Sequence, residues 1–321
     1  MLMKLELSAL QADLANIDRL ISKRSEKTDP IGFFQLTNRR AEVLETINKI
    51  QENPERSASV ALFFGGGPVL GSKGINADFA GKAIEAFQDL VSKRFANIET
   101  GILGTRGPVP LKANTELMLT DVARGSFGLV LEEIKSNESL SETAMQFVVD
   151  EVAQTIVDFS SPDEDRFETA LATVDSRSLI SLRDFFRLLD EQHATLRVVE
   201  GERDAELDFK AVKLARERTD FTEIDDKTTD EIIGRLYILP AHRRFELELV
   251  PTSETLYGSI SAEFSKENLN KFKNGTDVVG KIWRTKMRIR KTVRVNQQPK
   301  LTYTLMGLIE EIDNQDLLAK E

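Results

Sequence analysis

The chain has 321 residues, a net charge of −10, 40% hydrophobic and 30% charged residues, two histidines and no cysteine. That composition provides for a soluble core and excludes a disulfide framework, a thiolate metal site and a cysteine nucleophile. His193 and His242 lie too far apart in sequence to suggest a zinc site, so no metal, cofactor or catalytic residue is expected.

No apolar run approaches the roughly eighteen residues of a membrane-spanning helix, and MLMKLELSALQADL lacks the basic-then-apolar order of a signal peptide. A cytoplasmic protein without a membrane segment is expected. Leu7, Leu10, Leu14, Ile17 and Ile21 recur at helical spacing and form one stripe. Thr28-Asp29-Pro30 breaks it, with Asp29 suited to an N-cap and Pro30 to the first helical position. Phe33, Leu36, Val43, Ile47 and Ile50 form a second stripe, which Arg40 interrupts and Asn53-Pro54 ends. The two helices predict an antiparallel hairpin over 1–56. Its stripes pack either on the body or on a second copy, so self-association through residues 1–52 is an open expectation.

Residues 57–227 predict an α+β body. Ser59–Phe64 is a strand, Gly65-Gly66-Gly67-Pro68 a turn and Val69-Leu70 its return strand. Asn76 caps a helix carrying Ala80, Ile84, Phe87 and Val91. A hairpin follows, Glu116–Asp121 with Phe127–Glu132, turning at Ala123-Arg124-Gly125. Strand, strand, helix, strand, strand points to a central antiparallel sheet with helices on one face. Ala144, Val148, Val152, Ile156 and Phe159 form a helical stripe. Ser161-Pro162-Asp163-Glu164 then predicts a new helix with Ser161 as N-cap. A helix carrying Leu179, Leu182, Phe186 and Leu189 precedes a hairpin, Ala194–Val199 with Ala205–Phe209, around Gly201. A charged connector with a short helix closes the body.

Residues 228–321 contain five strand-like runs: Ile232–Leu239, Phe245–Val250, Thr255–Ile260, Val278–Lys291 and Leu301–Leu308, with a helix expected over Ala262–Phe272. In element order alone this segment resembles an OB-like five-stranded small β-barrel, which implies oligonucleotide binding as an expectation. Charge divides along the same lines: Thr228–Ile309 holds 14 Lys and Arg against 8 Asp and Glu, while the whole chain is acidic. Within the fourth strand Trp283, Met287 and Ile289 share one face, and Arg284, Lys286, Arg288 and Arg290 the other. Lys291, Arg294 and Lys300 extend the basic run, and Arg243 and Arg244 lie at the first strand turn. These cations would neutralise phosphates, and Tyr257, with Tyr237 or Tyr303, would stack on bases. Glu246 and Glu248 would oppose phosphate. A basic strand is equally served by a protein partner, or by neighbouring acids on a solvated ladder.

Enzymatic motifs fail on spacing. The phosphate-loop pattern needs lysine directly after its second glycine, yet Ser72 precedes Lys73. A nucleophile elbow at Ser126 would need glycine where Arg124 stands. The sequence therefore supports a binding or adaptor protein whose basic barrel contacts single-stranded nucleic acid or a protein partner. Alternatives are a structural subunit assembling through the N-terminal helices, and a carboxylate-dependent enzyme acting on a phosphate-bearing substrate through acids such as Asp225, Asp226 and Asp230.

Overall fold

The structure, a computed structural model, describes residues 3–27, 29–52, 58–100, 107–123, 127–133, 144–239, 243–261, 264, 278–295 and 297–313. The chain is α+β, with seven α-helices and two five-stranded sheets among the described residues, and it divides into two compact units, Met1–Asp220 and Phe221–Glu321. None of these helices is long and apolar enough to cross a membrane.

The first unit opens with the hairpin of α1 (Met3–Ser22) and α2 (Pro30–Glu52). Ile17, Val43 and Ile47 are buried at its seam, ringed by Leu7, Leu10, Leu14, Ile21 and Leu36. Asp29 caps α2 by accepting from the Gly32 N–H at 2.9 Å. Arg40 does not break the seam, because its guanidinium turns outward and donates to Asp18 at 2.7 Å. Ile31 and Phe34 stay 72% and 65% exposed near the tip.

Next come β1 (Ser59–Gly66), α3 (Ala77–Thr100), a 3-10 turn (Lys112–Thr115), β2 (Met118–Ala123) and β3 (Phe127–Glu132). The helices α4 (Ala144–Ser160), α5 (Glu164–Thr173) and α6 (Ser176–Glu191) follow, then β4 (Ala194–Glu200), β5 (Arg203–Leu207) and α7 (Phe209–Asp220). The sheet is antiparallel throughout in the order β2-β3-β1-β4-β5. Period-two alternation sends Val60, Leu62 and Phe64 to the helical face, where Phe64 meets Phe79 edge-on at 5.3 Å. Ala61 and Phe63 point to the opposite face, with Val130, Val199 and Leu5 of α1.

Two expectations need correction here. Val69-Leu70 is not a return strand: Val69 makes one isolated bridge to Ile75, and β1 pairs with β3 and β4 instead. Two apolar residues between Pro68 and Gly71 are too few to carry a ladder. Gly66, at φ 81°, also brings the chain so close to the His193 carbonyl that a Cβ would lie 2.2 Å from its oxygen. The N-cap of α5 is Asp163, whose carboxylate accepts from the Asp165 and Arg166 N–H groups, while the Ser161 hydroxyl accepts from Asp163 N–H. At the end of α6, Gln192 is the C-cap and His193 contributes its carbonyl, which accepts from the Gly67 N–H at 2.9 Å. The expected turn residues Arg124 and Gly125 lie outside the described residues.

The second unit contains β6 (Thr222–Leu239), β7 (Arg244–Leu249), β8 (Thr255–Ile260), β9 (Ile282–Arg294) and β10 (Lys300–Ile312). They close into a ring in the order β6-β7-β8-β10-β9, with β9 returning to β6. Every pairing is antiparallel except β8 with β10. The ring is irregular: the β6/β9 register shifts between Thr229 and Ile232, and β9/β10 shifts twice. The first strand begins at Thr222 rather than Ile232. Its pairing with β9 runs from Thr222 to Arg235 and its last six residues, Gly234–Leu239, pair with β7.

Leu236, Ile238, Phe245, Leu247, Ile260, Phe264, Val278, Met287 and Leu305 fill the ring. The Trp283 indole packs on them and donates to the Val278 carbonyl at 3.1 Å. Gly258 is required, since a Cβ there would lie 2.2 Å from the Tyr303 carbonyl oxygen and 2.6 Å from the Phe245 ring. The helix expected over Ala262–Phe272 lies outside the described residues apart from Phe264, and so do His242 and its neighbours 240 and 241.

Candidate functional site

The strand register of the ring decides where the expected basic residues go. Arg284, Lys286, Arg288 and Arg290 alternate with Trp283, Thr285, Met287 and Ile289 along β9. Thr285 and Met287 are fully buried, so the even-numbered residues face outward. Two of these four are committed to a carboxylate. Asp226 lies opposite Arg290 in the β6/β9 ladder. Arg290 Nε donates to it at 2.9 Å, and Arg288 reaches it at 3.2 and 3.1 Å. The side chains are sequestered, at 5% exposure for Asp226, 9% for Arg290 and 18% for Arg288. Burial pushes the Asp226 carboxyl up, but the hydrogen bonds and charge of Arg290 and Arg288 outweigh it and hold it below the ordinary range. Asp226, expected in a connector beside Asp225 and Asp230, is thus a strand residue that holds two of the four cations and offsets one of their charges.

The other cations divide around the ring. Arg284 approaches Glu310 at 3.5 Å, and Lys281 approaches Glu311 at 2.8 Å. Lys286 and Lys291 are exposed on β9, Arg294 is half-buried at its end, and Lys300 opens β10. Arg243 and Arg244 are exposed where the chain enters β7, with Arg243 at φ 49°. One outward row therefore runs Leu239, Arg244, Ser259, Thr304, Arg288 and Thr228 across the five strands. Arg244 and Arg288 stand three strand spacings apart along this row, about 14 Å measured around the curved wall.

Between these basic flanks lies a neutral stripe. Tyr257 and Ser259 project from β8, and Thr302 and Thr304 from β10, with the Ser259 and Thr304 hydroxyls 3.3 Å apart. Tyr257 is 63% exposed and Tyr237 is 42% exposed, and both belong to a second outward row, Tyr237, Glu246, Tyr257. Tyr303 instead packs against the core. Glu248 sits opposite Arg235, 4.0 Å from its guanidinium. Residue types made the tyrosines and arginines visible in the sequence. The grouping of the stripe, and the withdrawal of Arg288 and Arg290 from it, came only from the cross-strand register.

The first unit carries two polar clusters. A cleft of about 490 Å³ is lined by Gln88 and Asp89 of α3, Lys112 of the 3-10 turn, and Ser181 and Asp184 of α6. Ser181 donates to Asp89 at 2.6 Å and accepts from Lys93, which also pairs with Asp89 at 2.7 Å. Burial raises the Asp89 carboxyl, and the bonds from Lys93 and Ser181 bring it back below its ordinary value. Ser181 lies in the interior of α6, so its bonds with Asp89 and Lys93 tie α3 to α6.

The second cluster joins α4 to the β4–β5 hairpin. Arg203 pairs with Glu200 at 2.9 Å and Asp150 at 2.8 Å, and donates to the Gln154 side chain. Burial, then the adjacent Asp150 carboxyl, pushes Glu200 up to about 7 despite Arg203. Among the described residues, no group of three His, Asp or Glu side chains is arranged to hold a metal ion. No family model, curated protein or solved structure matches the chain.

Proposed function

We propose that the second unit is an OB-like barrel and that the chain is a non-enzymatic binding or adaptor protein which holds single-stranded nucleic acid on the outer face of β7 and β8. Numbered within the ring, the strands run 1-2-3-5-4 and back to 1, an order that supports the OB-like reading. In such barrels the face of the second and third strands, with the first and last connecting loops, takes the ligand. The observation that carries the reading is Tyr257, 63% exposed on the third strand, with Tyr237 on its row and Arg244 at its flank. A solvated tyrosine is a stacking surface for any base, and nearby cations hold the backbone. With Arg288 and Arg290 sequestered on Asp226, the electrostatic contribution is modest. It falls to Arg243, Arg244, Lys286, Lys291, Arg294 and Lys300. We place this work in the cytoplasm.

The full chain should bind an unstructured single-stranded oligonucleotide at low salt in fluorescence anisotropy. Its log K should fall with log salt by about 0.7 for each phosphate neutralised, a slope of roughly −2 to −4 for three to five contacts. Tyr257→Ala should weaken binding by about 1–3 kcal/mol. Arg243→Glu with Arg244→Glu should flatten the salt slope. Absence of binding at low salt would reject the proposal.

A second reading, assembly through the N-terminal helices, is favoured by one observation. Ile31 and Phe34 remain exposed although the seam of the hairpin is complete. Multi-angle light scattering should give a mass above one chain for the native protein and one chain for Ile31→Glu with Phe34→Glu. Equal masses for the two would remove this reading.

A further inference from the structure

Resting on the nucleic-acid reading above, we infer that Glu246 and its two flanking tyrosines form a base pocket that selects guanine within a single strand. Glu246 stands directly between Tyr237 on β6 and Tyr257 on β8 in one outward row. Among the described residues no donor or cation bonds its carboxylate, whereas Glu248, two residues on, has Arg235 opposite. The tyrosines are two strand spacings apart, about 9.6 Å at the backbone. On the convex outer wall of the closed ring their side chains diverge, so each ring offers its own stacking face beside Glu246. A base stacked on either ring would therefore lie beside Glu246 and point its Watson–Crick edge at the carboxylate.

The chemistry of that edge makes the choice. An ionised carboxylate only accepts, and it has two oxygens side by side. Guanine offers two adjacent donors, N1–H and the N2 amino group, which match both oxygens. Adenine and cytosine each offer one amino donor beside a ring-nitrogen acceptor that the carboxylate repels. Thymine and uracil offer one N–H between two carbonyl oxygens. A carboxylate facing the phosphate backbone would only weaken binding, so a base edge, not a phosphate, belongs at this point of the face. Arg244, two residues earlier on the same face of β7, lies where a phosphate following the trapped base would pass.

The test uses the full chain and four labelled decamers of thymidine, each with a single central dG, dA, dC or dT, in anisotropy titrations at low salt. The dG probe should bind at least about fivefold more tightly than the other three. Glu246→Gln should abolish this preference while leaving every probe bound as tightly as before or more tightly, because a phosphate-repelling charge has gone. Tyr257→Ala should weaken all four, with circular dichroism confirming that both variants fold. Equal binding of the four probes, or a dG preference surviving in Glu246→Gln, overturns the guanine pocket and leaves the nucleic-acid reading standing. Failure of all four probes to bind overturns both.

Discussion

Replacing Asp226 by alanine should destabilise the second unit by about 3–5 kcal/mol, because it leaves two sequestered guanidinium groups without their carboxylate. Asp226 lies at 5% exposure and accepts from both Arg288 and Arg290. An exposed ion pair would contribute about 0–1 kcal/mol. Burial makes the difference, since water cannot replace the lost acceptor. Asp226→Asn should fall between wild type and alanine, keeping the shape and one acceptor oxygen but not the charge. Chain ends give a second measure. A fragment beginning at Phe221 keeps the β6 residues Thr222–Lys227, which pair with Arg294–Ile289 of β9. One beginning at residue 228 loses those pairs and Asp226 together. Urea unfolding followed by far-ultraviolet circular dichroism should give the longer fragment a cooperative transition and the shorter one none. Equal midpoints for the longer fragment with and without Asp226→Ala would show that the buried pair contributes no more than a surface one.

The same carboxylate marks where sequence reasoning stops. The alternation of Trp283, Met287 and Ile289 with Arg284, Lys286, Arg288 and Arg290 is a period-two signal, readable because each residue reports its own face. The run Thr222–Asp230 has no such alternation, since its neighbours are polar on both faces. Its strand state is imposed by β9, and nothing local to Asp226 announces Arg290. The helices were legible for the reason β9 was: stripes such as Val148, Val152, Ile156 and Phe159 record a buried face directly. Caps were harder, because Ser161 and Asp163 are both good acceptors and only the start of the helix chooses between them. The partners of β1 were invisible, as Ala61 meets Val199 across well over a hundred residues. In the candidate site, the tyrosines and arginines could be named from sequence. The placement of Glu246 between Tyr237 and Tyr257 could not, because it depends on two strand registers at once.

Mild acidity should stabilise the first unit, and Glu200 is the reason. Its folded carboxyl titrates near 7 against an ordinary value of 4.5. The folded state therefore binds a proton more tightly than the unfolded chain does. The resulting stabilisation is complete below the ordinary value and is lost as pH rises through about 7. A shift of this size corresponds to at most about 3 kcal/mol. Asp226 has the reverse sign: its folded carboxyl is depressed, so its contribution is present above the ordinary carboxylate range and lost on acidification. Glu200→Gln separates the effects. A glutamine amide can donate to Asp150 and its carbonyl can accept from Arg203, as the protonated acid does. The variant should therefore match wild type near pH 5 and exceed it at pH 8, by up to about 3 kcal/mol in the first unit. Thermal unfolding across pH 5–8 reads this directly, with the midpoint of the first unit falling in wild type and staying level in Glu200→Gln. A wild-type midpoint that rises over that interval, or a variant that falls in parallel, would mean that Glu200 is ionised throughout and that Arg203 outweighs both its burial and Asp150.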